Sequence, residues 1–140
     1  MDIEWLILAD AAQLVGGKLY LLGGGWDVLN VQTAFPVQQR CTIAAAFTIP
    51  WHETNRPHDV EIEVSDSDGG RLGLINGRVE VGRPPGLPQG SDQRAQLTAE
   101  MGLTFQAPGT YVIAARLNGE EGKRITFRVV PATAASPPRS

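Results

Sequence analysis

Hydrophobic and polar residues alternate with a period of two along several stretches of this chain, and that period restricts the fold to extended strands with one face buried. From Arg40 to Ile49, Cys41, Ile43, Ala45, Phe47 and Ile49 share one face, while Arg40, Thr42, Ala44, Ala46 and Thr48 share the other. From Asp59 to Ser65 the inward set is Val60, Ile62 and Val64, with acidic residues between them. The same reading gives Leu97, Ala99, Met101, Leu103 and Phe105, then Tyr111, Ile113, Ala115 and Leu117, then Ile125, Phe127 and Val129. Glu4 to Asp10 and Lys18 to Gly23 read as a first strand pair across Gly16-Gly17. Asp10 to Val15 could form a helical turn. Arg71 to Gly82 changes phase at Asn76-Gly77, which fits a hairpin turn in preference to a bulge in one long strand.

Turn chemistry separates these segments at Ser65 to Gly70, Ala107 to Gly109 and Asn118 to Gly122. The expected fold is therefore all-β, an antiparallel sandwich of seven to nine strands over residues 1–130. Two segments stand outside the pattern. Gly82 to Gln93 contains Pro84, Pro85 and Pro88 and is expected to be a mobile loop; residues 131–140 read as a flexible C-terminal tail that frays when free.

Charge and composition remove several function classes. A chain of 140 residues is one domain's worth, and 42% hydrophobic residues supply a core. With 12 basic and 15 acidic residues the net charge is −3, so the chain lacks the basic footprint of a nucleic-acid binder. No apolar run approaches the roughly 20 residues of a membrane-spanning helix, and Met1-Asp2-Ile3-Glu4 is acidic where a secretion signal is basic. Cys41 is the single cysteine, so an internal disulfide is excluded and a cytoplasmic location is expected.

Pro108-Gly109-Thr110-Tyr111-Val112, Asn118-Gly119 and the closing strand Ile125 to Val129 resemble the last two strands of immunoglobulin-like sandwiches. In those domains a Pro-Gly turn precedes a tyrosine whose hydroxyl bonds back to the chain. The opening also carries a resemblance, in Leu8-Ala9-Asp10-Ala11-Ala12, Gly17-Lys18-Leu19-Tyr20, Gly23-Gly24-Gly25-Trp26-Asp27 and Phe35-Pro36. Together with the Pro-Gly-x-Tyr block it is similar to a widespread bacterial family of single-domain proteins of unknown function. In that family an aromatic residue is expected after the Ala-Asp pair, where this chain has Ala11. The resemblance implies an immunoglobulin-like β-sandwich and no activity.

Catalytic equipment is sparse. The glycines at 16, 17 and 23 to 25 lack phosphate-loop spacing, and Lys18 is followed by Leu19. His52 and His58 have Glu53 and Asp59 beside them, but no cysteine pair or third histidine completes a zinc set. Asp66, Asp68 and Gly69 echo the start of a calcium loop, but Gly77 stands where its bidentate glutamate belongs. Cys41 shares a face with Ile43 and Phe47, which disfavours a thiolate. No serine sits in a nucleophile elbow, and no carboxylate pair stands out among Asp10, Asp27, Glu61 and Glu100. The expectation is a protein that is not an enzyme and that carries no cofactor and no metal.

Trp26 and Trp51 are the candidate contact residues among the aromatics: each either plugs an end of the sandwich or offers a stacking surface to a sugar. Pro84, Pro85 and Leu87 are the candidate contacts in the loop. Glu61 and Glu63 face outward on one strand, and Arg116, Arg124 and Arg128 on its successors, in stripes that can pair within a sheet or between copies. These features favour a non-catalytic protein-interaction or structural module whose partner is another protein or a second copy of the chain. The alternatives are a component of a larger particle, of virion or prophage type, and a small-ligand or sugar-binding domain.

Overall fold

Residues 1–132 are described by the structure, a computed structural model. Among them nine strands form: β1 (Asp2–Val15), β2 (Lys18–Gly24), β3 (Val28–Val31), β4 (Val37–Ile49), β5 (His58–Asp66), β6 (Arg71–Val79), β7 (Gln93–Phe105), β8 (Gly109–Leu117) and β9 (Glu120–Pro131). They make a four-stranded sheet in the order β2-β1-β4-β7 and a five-stranded sheet in the order β3-β9-β8-β5-β6. The architecture is all-β. A 3-10 turn at Trp51–Glu53 joins β4 to β5.

Alternation decides which side chains meet between the sheets. Cys41, Ile43, Ala45 and Phe47 of β4 and Met101, Leu103 and Phe105 of β7 are buried against Val60, Ile62 and Val64 of β5, Tyr111, Ile113 and Ala115 of β8, and Phe127 and Val129 of β9. Each large aliphatic or phenylalanine side chain of this set contributes roughly 1.5–3 kcal/mol by leaving water, so the set dominates the stability of the domain. Phe105, Tyr111 and Phe127 form an aromatic cluster, with Phe105 edge-on to Tyr111 at 4.8 Å between centroids.

Four expectations need correction. Asp10 to Val15 is not a helical turn but the second half of β1, because its backbone finds a ladder partner in β2, from Ala9 opposite Gly24 to Val15 opposite Lys18. Asn76-Gly77 is not a turn: β6 runs unbroken, with Asn76 opposite Glu61 and Gly77 opposite Val60, and pairing to β5 keeps both in register. The sheets are not purely antiparallel, since β3 lies parallel to β9 with Val28 opposite Arg128 and Val31 opposite Pro131. Four residues are too short for a periodic signal, so this strand was not expected. The fourth correction concerns β4, where burial is two-sided: Thr42, Ala44 and Ala46 point away from the main core and are buried as fully as their neighbours. The tail expected at 131–140 begins with Pro131 inside β9 and with Ala132, whose N–H donates to Val31 O at 2.8 Å; positions 133–140 lie outside the described residues.

Candidate functional site

What covers the outer side of β4 is the distal half of the β1–β2 hairpin. β1 pairs with β4 only as far as Ala9, opposite Thr42, whereas its pairing with β2 continues to the turn at Gly16-Gly17. Beyond Ala9 the two-stranded ribbon turns across the sheet's outer side. Its tip carbonyl, Gly17 O, accepts a 3.1 Å hydrogen bond from Nε2 of Gln96, which stands opposite Ala46 in the β4–β7 ladder. The ribbon departs from the sheet at Asp10 and Gly23, where Gly23 adopts φ +58 and the Asp10 carboxylate occupies the space a Cβ would need.

A ribbon lying on a sheet has an inner and an outer face, and this one is apolar on both. Ala12 opposite Leu21, and Leu14 opposite Leu19, form one face, and all four are half-buried. Ala11 opposite Leu22, Gln13 opposite Tyr20, and Val15 opposite Lys18 form the other, and all are exposed. Val15, Tyr20 and Leu22 are 50%, 56% and 72% exposed, and they are the exposed large hydrophobic residues of the described chain. Ala11, Ala12, Gln13, Tyr20 and Leu22 line a groove of about 230 Å³ on this surface. Sequence reasoning missed this cluster. The signal lay in the two-sided apolar pattern of Leu14, Val15, Leu19, Tyr20, Leu21 and Leu22, which differs from the one-sided alternation of the later strands.

Trp51 and the loop residues come together at one end of the sandwich. Arg83 lays its guanidinium 4.0 Å above the Trp51 ring, donates through Nε to Thr54 Oγ1 at 2.8 Å and through Nη2 to Trp51 O at 2.9 Å. The loop between β6 and β7 is clipped to the same place by Asn55 N to Val81 O at 2.7 Å and Gln93 Nε2 to Gly82 O at 2.6 Å. Two successive turns, closed by Leu87 N to Pro84 O and Ser91 N to Pro88 O, place Gly86 and Gly90 at positive φ in their third positions. Pro84 and Pro85 are exposed and Leu87 is half-buried. One face of Trp51 is thus occupied by Arg83, leaving a smaller stacking surface than the sequence suggested.

Trp26 lies at the opposite end. It packs edge-on against Phe127 at 5.8 Å and is half-buried, and its buried Nε1–H has no hydrogen-bond partner. Trp26 therefore does not join Trp51, Pro84, Pro85 and Leu87 in one site. Nearby, Tyr111 Oη donates to Ala107 O at 2.6 Å, the back-bond expected for a tyrosine after a Pro-Gly turn.

The two histidines part. His58 is buried, with Nε2 2.8 Å from Glu53 O and Nδ1 3.3 Å from the Asn118 amide, whereas His52 is exposed. Among the described residues no three His, Cys, Asp or Glu side chains are arranged to hold a metal ion. Burial pushes the Cys41 thiol up to about 11, with the Asp10 carboxylate adding a smaller push in the same direction.

The charged stripes meet within the five-stranded sheet. Glu63 accepts from Arg71 Nε at 2.6 Å and from Arg116 Nη2 at 2.9 Å, and Arg116 also lies 3.6 Å from Glu61. These contacts, Arg116 first and Arg71 second, hold the Glu63 carboxyl below its usual range. Arg124 pairs with Glu121 at 2.7 Å and Arg78 with Asp59 at 3.2 Å.

No helix among the described residues is long and apolar enough to cross a membrane. Among solved structures, the alkylpurine DNA glycosylase AlkC of Pseudomonas fluorescens, bound to DNA containing an abasic site analog, matches 74% of this chain at 14% identity with a TM-score of 0.40. The matched part is 27% of the glycosylase chain, so the present chain spans about a quarter of that protein, and a likeness this low carries no argument. No curated protein matches the sequence. A family model does match, over residues 4–130, and with nearly the whole described chain inside it the protein belongs to the family of unknown function DUF6941.

Proposed function

We propose that this chain is a non-catalytic protein-interaction module that binds its partner on the outward face of the β1–β2 hairpin. The observation that carries this reading is the gathering of Val15, Tyr20 and Leu22 on one side of a single ribbon. Exposed hydrophobic residues scattered singly need no explanation, but a cluster that includes a tyrosine and has a groove beside it is the composition of a binding surface. The fold is read as an immunoglobulin-like sandwich, with support from the Tyr111 back-bond and the Pro108-Gly109 turn before it. A cytoplasmic location belongs to the same reading and is supported by the single buried cysteine.

The test pairs the wild type with a Tyr20→Ser/Leu22→Ser variant. A protein retained by the wild type from host extract is identified, purified and titrated against both. The variant should bind at least about tenfold more weakly, as expected when an exposed aromatic anchor is removed, while its melting temperature stays unchanged. Equal affinity for the two chains would overturn the reading.

A further inference from the structure

We propose that two copies of this chain join edge to edge through β7, antiparallel about a twofold axis at Leu97, to make one continuous eight-stranded sheet. The inference rests on the reading of the chain as a protein-interaction module and names a second surface and its partner. β7 is the outermost strand of its sheet, 13 residues long, and its ladder bonds go to β4 alone. Among the described residues no backbone group outside the sheet bonds to its free side. A long open edge is the usual template for strand addition. The seam beside it is incompletely covered: Ala95 and Leu97 of β7 and Ile75 and Val79 of β6 pack against the core yet are only half-buried.

Charge selects the occupant. Arg94 and Glu100 stand three residues on either side of Leu97, and both project from the outer face of β7. With a second copy laid antiparallel about Leu97, Arg94 falls directly opposite Glu100 of that copy, and the reverse pair forms on the other side of the axis. Within one chain Arg94 already holds Glu4 at 2.7 Å, and Arg40 holds Glu100 at 3.0 Å. Pairing therefore completes two rows of alternating sign, each running Glu4, Arg94, then Glu100 and Arg40 of the other copy. Opposite charges facing each other across strands stabilise the pairing, and like charges oppose it.

The other edges are less suited. β6 carries Arg71 and Arg78 and no carboxylate, so two β6 strands would set only positive charges together. β3 has four residues, and β2 contains Lys18 without an acidic residue and bends at Gly23.

Sedimentation of the full chain over a concentration series tests the proposal. The wild type should form a dimer. Arg94→Glu and Glu100→Arg, each of which sets like charges opposite each other at both symmetric positions, should weaken it by about tenfold. The double swap, which puts opposite charges back across the axis while setting like charges beside Glu4 and Arg40, should bind more tightly than either single variant. Tyr20→Ser/Leu22→Ser should leave the dimer intact, which separates this surface from the hairpin face. Because Cys41 is buried, Leu97→Cys supplies one accessible thiol; with oxidised glutathione as the oxidant it should give a disulfide-linked dimer. A wild type that stays monomeric at every concentration would overturn the edge pairing and leave the hairpin reading standing. So would a dimer indifferent to both charge reversals whose Leu97→Cys variant does not cross-link.

Discussion

At the scale of single residues, burial and charge pairing separate side chains that look alike in the sequence. Cys41 is enclosed among apolar neighbours and its thiol is pushed to about 11, so at neutral pH it is almost entirely protonated. A thiol reagent should label the native protein orders of magnitude more slowly than the unfolded chain; equal rates would mean that the face is open. Glu63 shows the opposite displacement. A carboxyl held below its unfolded value of 4.5 adds stability that is fully present above that value and is lost as the pH falls through the lower folded value. Acid unfolding of the wild type should therefore steepen below pH 4.5, and Glu63→Gln should flatten that part of the profile, as read by melting temperature against pH. Both environments were legible: the alternation placed Cys41 inward, and the outward Glu61, Glu63 and Arg116 were already candidates for pairing. Their choice of partners was not, because whether stripes meet within a sheet or between copies depends on strand order.

At the scale of elements, the hairpin is where local pattern and tertiary context diverge. Asp10 to Val15 has no clean period because it is apolar on both sides, and a helical turn fits such a stretch as well as a strand does until Lys18 to Gly24 is seen to pair with it. The cover that this ribbon provides makes a test. Ala46→Asp would be harmless on a solvated face, but beneath the hairpin it buries an unpaired charge and should cost several kcal/mol in chemical denaturation, roughly 3 or more. Gln96→Ala removes the bond that holds the tip, so amides of residues 10–22 should exchange faster with little change in global stability. Gly23→Ala meets both the Asp10 carboxylate and an unfavourable left-handed backbone, and should destabilise by about 1–2 kcal/mol. In β6 the misleading feature was Asn76-Gly77, a dipeptide that favours primed turns; pairing with β5 along its whole length overrides that preference.

At the scale of the whole molecule, β4, β5, β7 and β8 are legible from their alternation to within a few residues, whereas β9 begins at Glu120 inside the stretch expected to be a loop, because Glu120 and Glu121 pair with Leu117 and Arg116. The order of the strands in the sheets is not legible, since adjacency depends on contacts between distant segments. The parallel pairing of β3 with β9 bears on synthesis. A ribosome makes Val28–Val31 early and Glu120–Pro131 late, and β9 sits between β3 and β8 inside the five-stranded sheet. Until residue 131 has emerged, β3 has no ladder partner and β8 is left as a raw edge, so the domain closes only once its last strand has been made. Nascent chains arrested before β9 should remain open to protease, whereas chains extended far enough to clear the exit tunnel should become resistant together, in one step.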